Sequence, residues 1–213
     1  MTNEKMTIHQ ALMELKTLEK RITTEIRSVV YVVANKHGNT KIEGIPVKEY
    51  SQNVTSHYQK VRDLMRRREA IKRAVVLSNA QTTVVVADKT YTVAEAIEMK
   101  NHGLEGMNLL LMKLTNDYTT AKRTADNANG DTLERRADDH IKNLFGNSDM
   151  KGASEEVRNA REEFIKNQTM ELVDPISIQK EMEKLSEEIV NFQMEVDSAL
   201  SVSNALTTII IEY

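Results

Sequence analysis

The stretch Ser78-Asn79-Ala80-Gln81-Thr82-Thr83-Val84-Val85-Val86 returns near the C-terminal end as Ser203-Asn204-Ala205-Leu206-Thr207-Thr208-Ile209-Ile210-Ile211. One polar position differs and the branched run changes from valine to isoleucine, so the pattern reads as one structural unit written twice. Each copy follows a long amphipathic stretch. A turn-like Ser-Asn then leads into β-branched residues, the signature of a helix end passing into a short strand.

A second repeat fixes the order of the elements. Thr7-Ile8-His9-Gln10-Ala11-Leu12 is echoed by Thr92-Val93-Ala94-Glu95-Ala96-Ile97. Both are capping boxes: the Thr hydroxyl accepts from the amide three residues on, and Gln10 or Glu95 reaches back to the Thr amide. The expected fold is mainly α, an antiparallel bundle of long helices built from two helix-helix-strand repeats, 7–86 and 92–211. A single domain, 1–213, is expected, with an insertion at about 126–165 in the second repeat and a small β-sheet or hairpin joining the halves.

The apolar spacing supplies the helices. Ile8, Leu12, Leu15, Leu18, Ile22 and Ile26 share one face of the first. The second, roughly 50 to 77, repeats at sevens, with Val54, Val61, Arg68 and Val75 in one row and His57, Leu64 and Ile71 in the other, a coiled-coil-like seam. Between them Ser28 to Val33 is β-rich and reads as an extended hairpin or ordered loop. The third runs from Val93 to Tyr118, with a bend expected at Gly103 and Gly106 because glycine weakens a helix interior. A short polar helix over Asp131 to Phe145, a loop over 146–152 and a helix resuming at Ser154 fill the insertion. Asp174-Pro175 suits the start of the last helix, with Asp as N-cap and Pro in the first turn. Val84 to Val86 should pair with Thr90-Tyr91 across Ala87-Asp88-Lys89, and Ile209 to Ile211 should lie beside them as a third strand, since a lone hairpin is marginal.

Composition narrows the function. The 213 residues carry a net charge of −3, so nucleic-acid binding would need a local basic patch. Cysteine is absent, which removes disulfides and thiolate metal sites. No apolar leader or membrane-length run is present, giving the expectation of a cytoplasmic protein without a transmembrane segment.

Three of these features together resemble a family of small helical proteins from bacterial and phage genomes, some labelled septicolysin. They are the capped helix from Thr7 to Leu12, the Asn-Ala-x-Thr-Thr element leading through a hairpin to a second capped helix over Asn79 to Ile97, and the closing helix and strand from Asp174 to Ile211. The resemblance covers about two thirds of the chain and omits most of 120–165. It implies a fold and a phage–host setting, hence the host cytoplasm for a phage-encoded member, and no established activity. The family hairpin favours Asp-Gly where this chain has Asp88-Lys89, which argues against a tight two-residue turn because Lys disfavours positive φ. The segment from Ser28 to Tyr50 is also longer and more β-rich than in the family.

No catalytic residues are expected. The five histidines, His9, His37, His57, His102 and His140, lack metal-ligand spacing, and neither a Gly-rich phosphate loop nor a nucleophile elbow is present. Neither cofactor nor metal is expected. The densest basic feature is Arg62, Arg66-Arg67-Arg68 and Lys72-Arg73. As structure, these form the polar face of a helix, with Arg68 pairing to an acid on another helix. As function, Arg66, Arg67 and Arg73 join Asn79, Thr82 and Thr83 to hold an anionic, nucleotide-like ligand, because guanidinium forks match phosphate oxygens. The repeated element likewise has a structural use, Asn capping a helix end and Thr opening a strand. The leading expectation is a non-catalytic homo-oligomeric scaffold or binding protein for such a small molecule. The alternatives are nucleic-acid binding through the helix at 62–73 and membrane activity of the cytolysin kind.

Overall fold

The computed structural model describes residues 3–146 and 152–212. Its order is β1 (Asn3–Thr7), α1 (Ile8–Arg27), β2 (Lys41–Ile42), β3 (Ile45–Pro46), α2 (Val47–Gln81), β4 (Thr83–Val86), β5 (Lys89–Thr92) and α3 (Val93–Glu98). After a π-helical turn at Met99–Gly103 come α4 (Leu104–Ala128), α5 (Gly130–Phe145), α6 (Glu155–Gln168), α7 (Ile178–Leu206) and β6 (Thr208–Glu212). The fold is mainly α with small antiparallel two-stranded sheets. Two compact units emerge, Met1–His102 with Asn191–Tyr213, and Gly103–Val190.

Both capping boxes form. Thr7 Oγ1 accepts from the Gln10 amide at 3.2 Å while Gln10 accepts from the Thr7 amide at 2.9 Å. Thr92 and Glu95 do the same at 3.1 and 2.7 Å.

The strand partners differ from expectation. Ile209 to Ile211 does not join the β4–β5 hairpin; β6 pairs with β1, at the other end of the chain. The two ladders are nevertheless copies. Thr83 faces Thr92 and Val84 faces Tyr91, just as Thr208 faces Thr7 and Ile209 faces Met6. The Val93 amide donates to the Thr82 carbonyl at 2.8 Å and the Ile8 amide to that of Thr207 at 2.9 Å. In each ladder the strand following a long helix lies against the strand that ends in a Thr cap, so what a hairpin does once, the chain's two ends do again.

Other boundaries shift for local reasons. Ser78 and Asn79 are the last helical turn of α2, not a turn, and the chain leaves the helix only at Thr82, whose amide donates to the Ser78 carbonyl. Asn79 therefore does not cap in a left-handed conformation. The hairpin turn is a tight two-residue one, Ala87 (φ 48°) and Asp88 (φ 60°), which leaves Lys89 in the strand with no positive φ to adopt. Asp174 and Pro175 precede α7 instead of opening it: Ser177 is left-handed at φ 56°, and the Asp174 carboxylate accepts from the Ile178 amide at 2.9 Å. Ser28 to Val33 forms no ladder, and only the short β2–β3 pair follows it. Where a bend was expected in the third helix, at Gly103 and Gly106, Met99–Gly103 form a π-helical turn and Gly106 lies within α4. The expected loop at 146–152 lies largely outside the described residues.

In the first unit the core is Met6, Ile8, Ala11, Leu15, Leu18, Ile22, Ile71, Val75, Ile209 and Ile211, so α1 and α2 close over the inner face of β6. Leu12 and Ile26, expected on the buried face of α1, are exposed, and Ala11 is buried instead. Helices α1 and α2 run antiparallel: Lys60, earlier on α2, reaches Glu25 near the end of α1, while Arg67 and Arg68, later on α2, reach back to Glu14 and Glu19. In the second unit α5 and α6 pair through buried Leu133, Ala137 and Ile141, with Arg161 bound to Asp138 at 2.9 Å and to Glu134, and His140 stacked on Phe164.

Candidate functional site

An open groove of about 2120 Å³ runs along α2, with β6 at its C-terminal end. Its lining residues on α2, from Lys48 to Gln81, recur at three and four, one face of a single helix. Alternation along β6 sends Ile209 and Ile211 into the core and leaves Thr208, Ile210 and Glu212 outward, toward this space. The groove thus draws on both copies of the repeated element, Ser78, Gln81 and Thr82 from the first and Thr207 to Ile210 from the second.

Of the residues singled out in the sequence, Arg66, Arg67, Arg73 and Thr82 line the groove; Asn79 and Thr83 do not. Thr83 points outward from β4 and Asn79 lies half-buried in α2. The three arginines differ in use. Arg67 is held by Glu14, bidentately, and by Glu4 at 2.9 Å, tying α2 to α1 and β1. The hydrogen bonds it donates to Glu14 and then to Glu4 raise its already high pKa, so it stays charged. Arg66 makes an exposed pair with Asp63 at 2.6 Å, and Gln59 also donates to that carboxylate. Arg73 has no side-chain partner among the described residues. Arg68, outside the groove, pairs with Glu19 at 2.7 Å, as its place on the helix seam implies.

Around Arg73 the chemistry suits an anion with an apolar part. Ser78 and Thr82 hydroxyls lie 3.4 Å apart, Thr207 and Thr208 line the same space, and exposed Leu77 and Ile210 supply apolar surface. Thr207, Thr208 and the polar row from Lys48 to Gln59 escaped the reading of the sequence. The signal for the row was its spacing of three and four, masked by the absence of large apolar residues.

The other long helix shows how far the copies have diverged. On α7, Glu195 accepts from the Ala87 amide at 2.7 Å, and Asp197 pairs with Lys100 at 2.5 Å. The positions equivalent to Glu195 and Asp197 on α2 are Ala70 and Lys72. The groove at α2 is the basic member of the pair.

His57 Nδ1 lies 3.6 Å from Glu25, beyond hydrogen-bond reach, and Glu25 is engaged by Lys60 at 2.5 Å. Among the described residues no group of three or more His, Asp or Glu side chains is placed to hold a metal, and no helix is long and apolar enough to cross a membrane. Comparisons with protein-family models, with curated proteins and with solved structures each give no match.

Proposed function

We propose that this chain is a non-catalytic, self-associating helical protein that binds an anionic small molecule of nucleotide type at the β6 end of the α2 groove. The observation that carries this is Arg73, a guanidinium with no side-chain partner among the described residues, in one space with four hydroxyls drawn from both repeats. Guanidinium and hydroxyls suit a phosphate, Leu77 and Ile210 suit the face of a base, and Gln81 can bond to its edge. A phage–host setting in the host cytoplasm is the context the family resemblance suggests.

Mass spectrometry of the denatured, purified protein, joined to a thermal-shift panel of nucleotides with inorganic phosphate as control, tests this. A nucleotide should raise Tm by several degrees at saturation. Arg73→Ala should remove the shift and leave the ligand-free Tm nearly unchanged. The absence of both a co-purifying ligand and any shift across the panel would sink the proposal.

Nucleic acid is the second reading, favoured by a groove about 50 Å long over the α2 rise. Against it, Asp63, Glu69 and Glu212 share the groove with five cationic side chains. It requires a steep salt dependence and loss of binding in Arg66→Ala plus Arg73→Ala. Arg67 is unsuitable for that test because it also holds α1 and β1.

A further inference from the structure

The two ladders carry the same backbone pattern and differ at one amide. The Ile8 amide donates to the Thr207 carbonyl and the Val93 amide to that of Thr82. Alternation along each ladder then turns the amides of Ile209 and Ile211 toward β1 and those of Val84 and Val86 toward β5, and the next amide in each strand points the other way. In the hairpin copy that next residue is Ala87, and the Glu195 carboxylate of α7 accepts from its amide at 2.7 Å. In the other copy it is Glu212, which lines the α2 groove. The position of Glu195 is held on α2 by Ala70, which ends at Cβ. Where α7 brings a carboxylate to its ladder, α2 brings a methyl group and open groove.

Both helices sit alike on their ladders, so the equivalence is one of place as well as of sequence. Ile71 and Val196 are both buried, as are Val86 and Ile211. The equivalent residues Arg67 and Phe192 each reach the second strand, Arg67 to Glu4 of β1 at 2.9 Å and Phe192 to Tyr91 of β5, ring edge to face at 5.7 Å.

We infer that the groove seats a ligand oxyanion on the Glu212 amide beside Ala70, in the place that the Glu195 carboxylate takes in the other copy. Arg73 lies three residues on, about 4.5 Å along α2, and supplies the countercharge. Its equivalent on α7 is Ser198, so a cation stands only in the copy that brings no carboxylate of its own. Leu77 and Ile210, one turn beyond Arg73, meet the apolar part of the same molecule. The Glu69 and Glu212 side chains share the lining and repel a second negative charge, so the oxyanion that fits is singly charged, as a side-chain carboxylate is. In a nucleotide that group is a phosphodiester, and a doubly charged terminal phosphate is disfavoured. The α7 copy is the same seat filled from within. This seat rests on the anion proposed above and adds where its charge lies and how much charge it carries.

Backbone amide NMR of the full chain tests it, with a dinucleoside monophosphate as probe and dimethyl phosphate and acetate as comparisons. The Glu212 amide proton should move downfield with the dinucleoside monophosphate and the Ala87 amide should stay. A Glu212 amide that answers to acetate alone, or to none of the three, overturns the inference. Ala70→Glu supplies the carboxylate from within: the Glu212 amide should move downfield without ligand, and affinity for the dinucleoside monophosphate should fall about tenfold. Ala74→Glu, one turn on, adds the same charge out of reach of that amide and should cost less. Equal losses in the two variants, or a Glu212 amide unmoved by Ala70→Glu, also overturn it. Glu195→Ala combined with Ser198→Arg should open the α7 copy, giving two bound ligands per chain and a response at the Ala87 amide; a count that stays at one overturns the equivalence of the two seats. A nucleotide that raises Tm without moving the Glu212 amide would remove this seat and leave the nucleotide reading standing. An amide that moves with dimethyl phosphate while no nucleotide shifts Tm would keep the seat and sink the nucleotide.

Discussion

Arg67 and Arg73 sit six residues apart on one helix, and their surroundings give them opposite roles. Removing Arg67 leaves Glu14 and Glu4 without their cation, so Arg67→Ala should cost about 1–3 kcal/mol in denaturant unfolding. Arg73→Ala should stay within about 0.5 kcal/mol of the parent, because no internal partner is lost. At the β4–β5 turn, Ala87 holds a left-handed conformation that a side chain without local hydrogen bonding adopts at a cost. Ala87→Asn keeps the amide that Glu195 accepts from and suits the turn, so stability should rise by about 0.5–1 kcal/mol. Two carboxylates set the acid limb. The Lys60 hydrogen bond lowers the pKa of Glu25 from the ordinary 4.5, and the Thr92 amide lowers that of Glu95. A lowered folded pKa gives stability that is complete above the unfolded pKa and is lost as pH falls through the folded one. Denaturation midpoints should therefore hold steady above pH 4.5 and drop below it. Glu95→Gln should make the drop smaller, and an unchanged drop would show that this cap does not contribute to it.

At the scale of the elements, the features legible in the sequence are those set by local chemistry. Thr7 and Thr92 announce their helices because a capping box is complete within four residues, and the buried Ile8, Leu15, Leu18 and Ile22 of α1 follow from spacing alone. Helix ends were less legible. Ser78-Asn79 reads as a turn by composition, yet tertiary contacts of α2 carry the helix on to Gln81, overriding a weak local preference. Ser28 to Val33 has strand propensity but finds no partner strand, and propensity without a ladder makes no sheet. The candidate site divides in the same way. Arg66 and Arg73 were visible as a basic cluster, whereas Thr207, Thr208 and Ile210 reach the groove only because β6 packs beside α2, a long-range fact. Thr7→Ala and Thr92→Ala should each cost about 1 kcal/mol of stability, the usual worth of an N-cap side chain. Chemical denaturation of both would show whether the two copies of the cap remain energetically equal.

For the whole molecule the deciding relation is the equivalence of the two ladders. The sequence held a clue to it. The β4–β5 hairpin places a Thr-Thr strand against the residues before a Thr cap, and applying that relation to Thr208 leads to the segment before Thr7. That segment, Asn-Glu-Lys-Met-Thr, has little strand character, so only the repeat could have identified it. Exposure repeats as well. Leu77 and Val202 are 57 % and 56 % exposed, and Val85 and Ile210 are 61 % and 62 % exposed, at matching places in the two copies. The two copies thus leave the same apolar positions uncovered.

The β1–β6 ladder makes the backbone nearly a ring, cut where the other repeat has its Ala87-Asp88 turn. A chain opened at that turn, with Glu212 linked to Asn3 through two turn residues, would exchange the roles of the two ladders and keep every pairing. Such a permutant should fold with stability close to that of the parent, measured by circular dichroism in denaturant. Its folding rate is the informative quantity. In the parent one ladder closes across two residues and its twin across almost the entire chain, so reversing which is local asks whether the distant closure limits folding.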